Sequence, residues 1–171
     1  MSQDELVDIV DENMNFIKVD SKMEAHREGW LHKTVIGVVL NSQGHYLLVK
    51  QSKNRQDPGQ YVSPAGGHVS AGESDEDALK REVYEELGIK DFKYEFVGKG
   101  IFNREVIGRK ENHFFIIYKV FSDQKPILSH EAENCRYFSK EELKIEIKEF
   151  PQHFGASFHF GMKNSFPEFY D

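Results

Sequence analysis

Residues 67–89, GHVSAGESDEDALKREVYEELGI, constrain this chain more than any other stretch. Ser74 with Asp77 three residues on is a variant of the capping box, and Gly88 stands where a C-terminal glycine stop belongs. The spacing predicts a helix over roughly 75–87. At about 100° per residue, Leu79, Val83 and Leu87 form one apolar stripe fit to pack on a sheet, with Glu82, Glu85 and Glu86 along its edge. That edge is unfavourable by itself. Like charges at i, i+3 and i, i+4 repel by roughly 0.2–0.5 kcal/mol per pair, and acids in a last turn oppose the helix dipole by roughly 0.3–1 kcal/mol each. Asp75, Glu76 and Asp77 in the first turn are favoured by the same dipole.

A local rule broken without visible compensation often marks function. A hard divalent cation supplies the compensation, since convergent carboxylate oxygens suit Mg²⁺ or Mn²⁺. The competing reading is a solvated acidic face, the commoner fate of a charge cluster. An EF-hand is excluded, because counting from Asp75 the sixth position is Lys80 where the loop needs glycine.

The rest of the chain narrows the field. Its 171 residues suit one domain (1–171), with 1–32 as an N-terminal extension of short strands, and 30% charged residues describe an ordinary globular protein. No secretory signal and no bilayer-length apolar run is visible, so a cytoplasmic location and no membrane partner are expected. The net charge is −7, and the segment 73–86 alone carries −5 of it. That balance argues against a nucleic-acid binder. The single cysteine, Cys135, excludes an internal disulfide framework and reads as packing.

Along the chain, ELVDIVDENMNFIKV reads as two short strands around Asp11–Asn15, and SKMEAHREG as a short helix between Ser21 and Gly29. TVIGVVL and HYLLVKQ flank the turn NSQG as a hairpin. A polar loop, the strand YVS and a turn PAGG with glycines free to take positive φ lead into the helix. FKYEFVGKGIF and NHFFIIYKVF read as strands joined by a polar, basic loop NREVIGRKE, and CRYFS as a shorter strand. Ser139 caps a helix bearing Leu143, Ile145 and Ile147; Phe150, Phe154 and Phe158 then suggest a helical aromatic stripe, either packing or a homodimer contact.

Gly67, Glu73, Arg81, Glu82, Val83, Glu85, Glu86, Gly88 and Ile89 match position by position the Nudix box, G-x(5)-E-x(7)-R-E-U-x-E-E-x-G-U with U bulky and apolar. A chance match in a chain this long is on the order of one in ten million, so the chain resembles the Nudix hydrolase superfamily. The box covers 23 residues of the chain, with a looser likeness over most of 33–145. The resemblance implies an α/β fold, a mixed sheet sandwiched between helices, and Mg²⁺- or Mn²⁺-assisted hydrolysis of a small-molecule diphosphate. It implies that Glu82, Glu85 and Glu86, with the carbonyl of Gly66, hold the metal. Arg81 would orient the carboxylates, tied to Glu73, while Gly67 and Gly88 support the loop-helix-loop. Glu86 is the first candidate for general base, with Glu111, Glu131 and Glu133 as outside candidates.

The N-terminal region through Ser52 further resembles the isopentenyl-diphosphate-isomerase-like branch. Isomerases use a cysteine just before a Gly-His pair and a second glutamate downstream. Here Gly66 precedes Gly67-His68, and ENH offers Glu111 followed by His113 in the second glutamate's place. His26, His32 and His68 are similar to histidines that bind a metal in the isomerases, but structural hydrogen bonding or a place on the surface is the commoner role for such residues and they stay outside the expected metal set. Arg55 and Lys53 in one loop, and Arg104, Arg109 and Lys110 in another, are candidates to meet phosphates or simply solvated charges. Phe102, Phe114 and Tyr118 read as core before they read as a base-stacking platform.

Overall fold

The computed structural model describes residues 4–171. In chain order, β1 (Leu6–Val10), β2 (Phe16–Ser21), α1 (Lys22–Glu28), β3 (His32–Leu40), β4 (Tyr46–Gln51), β5 (Tyr61–Val62) and β6 (Ala65–His68) precede α2 (Asp75–Leu87). Then come β7 (Lys93–Val106), β8 (Arg109–Phe121), β9 (Ala132–Phe138), α3 (Lys140–Glu149) and α4 (Ala156–Ser165), with short 3₁₀ turns at Pro151–His153 and Pro167–Tyr170.

The sheet is built on β3 and β8, which run parallel from His32 opposite His113 to Leu40 opposite Phe121. Both strands are apolar along most of their length because both their faces are covered. Val35, Val39, Ile116, Tyr118 and Val120 face one way and pack on Ala78, Leu79, Val83 and Leu87 of α2. Val38, Leu40, Phe115 and Ile117 face the other way, onto Leu143 and Ile147 of α3 and Phe158 and Met162 of α4. The expected α/β arrangement, a mixed sheet between helices, is therefore present.

Two departures from hairpin regularity position the site. β3 and β4 pair only at Val39–Leu47 and Leu40–Tyr46, after which β3 takes β6 as its antiparallel neighbour and β4 takes β5 and β9. The splay opens a cavity of about 450 Å³, with Ile36, Val38, Val49, Phe115 and Met162 among its apolar walls. At the N-terminal side, β1 joins the same sheet by pairing Ile9 with His32, and Val7, Ile9 and Ala25 form a satellite core beneath Trp30.

Several local expectations hold. Ser21 and Ser74 accept from the backbone N–H groups of Glu24 and Asp77, while Gly29 and Gly88 take left-handed φ values of 77° and 66°. Cys135 packs against the α2-side core. Phe114 and Tyr118 are buried, and Phe102 stacks on Phe115, so all three are core residues.

Others are corrected. PAGG is no turn: Ala65, Gly66 and Gly67 lie in β6, antiparallel to β3, and neither glycine has positive φ. What Gly67 provides is close approach, because a Cβ there would stand 2.6 Å from Oε2 of Glu82. NREVIGRKE is no loop either. β7 and β8 pair from Lys93–Phe121 out to Val106–Arg109 and turn on Ile107 and Gly108 alone, both at positive φ (45° and 74°). The alternation of Arg104, Val106, Arg109 and Glu111 continues the strands because partners on the sheet neutralise the charges. The aromatic stripe is broken as well. Pro151 opens a separate 3₁₀ turn and Gly155 a new helix, leaving Phe154 and Phe158 in the core while Phe150 is 45% exposed against His153. On α3, Leu143 and Ile147 are buried but Ile145 is 60% exposed.

Candidate active site and an adjoining histidine cluster

Arg81 organises the box. Its Nε donates to Oε2 of Glu73 at 2.9 Å and its Nη2 to Oε1 at 2.9 Å, a two-point pairing. The same side chain reaches Oε1 of Glu82 at 2.7 Å through Nη1 and the carbonyl of His68 at 3.0 Å through Nη2. Glu85, more exposed, lies 3.6 Å from Nη1. Glu73 in turn accepts from the backbone N–H of Ser70 at 3.0 Å, which fixes the loop between β6 and α2. One guanidinium thus ties the loop, the strand end and Glu82 together.

Glu86, the one box glutamate outside this clamp, turns elsewhere. Glu86 accepts from Ser129 Oγ at 3.1 Å and lies beside Glu131, which pairs with Arg55. Burial pushes the carboxyl of Glu82 up to about 7 despite Arg81, and burial together with Glu131 pushes Glu86 up to about 8. Both acids sit where their charge is undercompensated. The three carboxylates line one side of the cavity with Gly66, but they do not close into a cluster of the tightness described below.

Arg55, Arg104 and Arg109 also line the cavity. None is a free cation. Arg104 forks onto Asp57 at 3.0 and 3.3 Å and reaches Glu111 at 3.0 Å, while Arg109 Nε donates to Glu111 at 2.9 Å. Burial favours the protonated form of Glu111, yet Arg109 and Arg104 outweigh it and hold its carboxyl below the ordinary range. Glu111 is thereby committed to ion pairs, and Glu133 is exposed outside the cavity, which leaves Glu131 as the outside base candidate beside the box.

Next to the box stands a second constellation. His26 from α1, His32 from β3, His68 from β6 and His113 from β8 place one ring nitrogen each within 4.8 Å of one another. The Nε2 of His26 is 3.2 Å from that of His113 and 3.2 Å from that of His68, and His68 and His113 are 3.3 Å apart. Burial holds His26 down to about 4, and burial and the neighbouring rings hold His68 and His113 well below the usual imidazole range. Ser129 and Asp57 carried no site signal of their own in the sequence, and His113 entered only as the residue in the place of the isomerases' second glutamate. Only the register that sets His32 beside His113 gives the fourth histidine its place.

The sequence profile of the NUDIX domain matches residues 30–158. The chain belongs to the Nudix family. An uncharacterised Nudix hydrolase of Clostridium acetobutylicum is 30% identical over 86% of this chain and 72% of its own length. An isopentenyl-diphosphate Delta-isomerase of Aromatoleum aromaticum is 29% identical over 84% and 82%. Among solved structures, a Deinococcus radiodurans protein superposes on this Nudix domain with a TM-score of 0.73, covering 94% of this chain and 99% of its own at 20% identity, a likeness of fold. Among the described residues, no helix of the Nudix chain is long and apolar enough to cross a membrane.

Proposed function

We propose that this Nudix protein is a divalent-metal-dependent pyrophosphohydrolase that cleaves a diphosphate linkage in a nucleoside diphosphate derivative or a similar small molecule by water attack on phosphorus. The observation that carries the reading is the Arg81 clamp, which holds Glu82 at 2.7 Å beside a second undercompensated acid, Glu86, at the mouth of a cavity. Two partly buried carboxylates raised by burial, with a more exposed third on the same helix face, are a donor set that a hard cation would stabilise. Mg²⁺ or Mn²⁺ fits them. Glu82, Glu85 and Glu86, with the carbonyl of Gly66, are the residues that would hold it. When bound, such an ion neutralises phosphoryl charge and acidifies water.

The chain's own residues do the rest. Arg81 fixes the direction of Glu82 and shares its charge with Glu85, while Glu73, Gly67 and Gly88 hold the loop and helix end that carry them. Glu86 takes the water's proton on a carboxylate oxygen; Glu131 beside it is the second candidate. Arg55, Arg104 and Arg109 border the cavity, where the negative substrate exchanges for part of their carboxylate pairing. Residues 1–32 act as an extension of one Nudix domain, a reading supported by the pairing of β1 with β3. The isomerase reading is disfavoured by Gly66 and His113 standing at the two positions where that branch carries its chemical groups.

The test is a screen of the full chain, with products identified by chromatography and NMR, against nucleoside triphosphates, nucleotide sugars, dinucleoside polyphosphates, NADH, coenzyme A and isoprenoid diphosphates, with Mg²⁺, Mn²⁺ or EDTA. Metal-dependent cleavage of one class is expected. Silence across the panel, or conversion of isopentenyl diphosphate to its isomer, overturns the proposal.

A further inference from the structure

We propose that His26, His32, His68 and His113 form a closed, four-nitrogen site for a borderline divalent transition ion of the zinc type, separate from the hard-cation site on the box glutamates. Hydrogen bonding among the rings does not account for the cluster. The Nε2 atoms of His26, His68 and His113 form a triangle with edges of 3.2, 3.2 and 3.3 Å. In a neutral imidazole each such nitrogen carries either one proton or one in-plane lone pair. With three atoms and two kinds, at least two are alike, so no choice of tautomers turns all three contacts into hydrogen bonds. A fourth ring makes the mismatch worse. Nδ1 of His32 lies 2.8 Å from the carbonyl of Trp30, which places its proton there and leaves Nε2 a bare lone pair. That Nε2 has no hydrogen-bond partner, and His32 is 0% exposed.

A cation at the centre resolves every contact at once, taking one lone pair from each ring. The three edges among His26, His68 and His113 agree with this, and His32 brings its nitrogen within 4.8 Å of the others. Four nitrogens around an ion with bonds of ~2.0–2.1 Å stand about 3.3–3.4 Å apart in a tetrahedron. Four neutral nitrogens and no carboxylate favour Zn²⁺, Co²⁺ or Ni²⁺ over Mg²⁺. The nearest acid along β8, Glu111, is bound to Arg104 and Arg109 instead. Four protein ligands leave no open position, the mark of a structural ion rather than one that activates water. Its place explains its use. The ligands come from α1, β3, β6 and β8, and the carbonyl of His68 receives Nη2 of Arg81 at 3.0 Å. The ion pins the N-terminal extension to the strand from which the Arg81 clamp hangs.

The proposal stands whether or not the box hydrolyses a diphosphate, because metal retention is read without substrate. The full chain is expressed with zinc supplement, dialysed against Mg²⁺, and its metal content measured by mass spectrometry. About one transition ion per chain is expected. Glu82→Gln should keep it and His113→Ala should lose it at least tenfold. Stripping with a chelator should lower Tm by roughly 5–10 °C, restored by Zn²⁺ but not by Mg²⁺. Equal ion content in His113→Ala and the unmodified chain, or no binding of Zn²⁺, Co²⁺ or Ni²⁺ to the stripped chain, overturns the proposal. Should His113→Ala fail to fold, Co²⁺ titration of the stripped unmodified chain decides. A tetrahedral cobalt spectrum supports the site; a six-coordinate spectrum, or none, refutes it.

Discussion

Gly67 and Glu82 share a space that only one side chain fills, since a Cβ on Gly67 would stand 2.6 Å from Oε2 of Glu82. The glycine of the strand and the first glutamate of the helix pair are therefore one unit. Gly67→Ala displaces the carboxylate by an ångström or so, and misplacement on that scale costs about 10²-fold in rate. Overpacking adds roughly 1–3 kcal/mol of destabilisation. Steady-state kinetics beside a thermal melt separate the two effects, and an unchanged rate would show that Glu82 need not sit where it does.

Arg81 reaches Glu73, Glu82 and the carbonyl of His68 with one planar fork. Lysine supplies charge without that fork. Arg81→Lys and Arg81→Ala should both cut hydrolysis by about 10²-fold, with Lys recovering little. If Lys restores most of the activity, charge rather than geometry is what Arg81 provides.

Glu82→Gln and Glu86→Gln should each lower hydrolysis by about 10³-fold or more while leaving Tm unchanged or slightly raised. Each change removes a carboxylate that burial disfavours in its charged form. Near-normal turnover in either variant, measured at saturating Mg²⁺, would dismiss the metal-ligand assignment.

Glu111 is a buried acid whose two arginine partners outweigh the burial that would otherwise raise its carboxyl. Its folded value is lowered, so its contribution to stability is present above the unfolded value near ~4.3 and is lost as pH falls through the folded one. Glu111→Gln should cost about 3–5 kcal/mol at neutral pH by leaving Arg104 and Arg109 part-paired. Melts at descending pH should stay a constant distance apart down to the unfolded value of ~4.3 and draw together below it, as pH falls through the folded value. Curves that coincide at neutral pH would mean the ion pairs contribute nothing net.

Local chemistry was legible where it depends on neighbours in the chain. The caps of α1 and α2, the buried stripe of Leu79, Val83 and Leu87, and the bond between Arg81 and Glu73 all follow from spacings of three, four or eight residues within one segment. The expectation failed where distant partners change the meaning of a local pattern. NREVIGRKE reads as a loop because charges cluster there, but Asp57 and Glu111 neutralise Arg104 on the sheet and let the strands run to a two-residue turn. The helical stripe of Phe150, Phe154 and Phe158 was a true apolar period cut by Pro151 and Gly155, whose backbone preferences outweigh it.

That this chain carries the Nudix box, and which residues make it, can be read from the chain alone, because a helix places residues at fixed angles whatever surrounds it. What those residues meet depends on how distant segments pack. Glu86 faces Glu131 from more than 40 positions away, and four histidines from four different elements meet at one point. Such meetings depend on strand order and register, here the parallel pairing that sets His32 beside His113 and the antiparallel pairing that sets Thr34 beside His68. Register is chosen by the summed burial of whole strands, a quantity no short stretch of sequence contains.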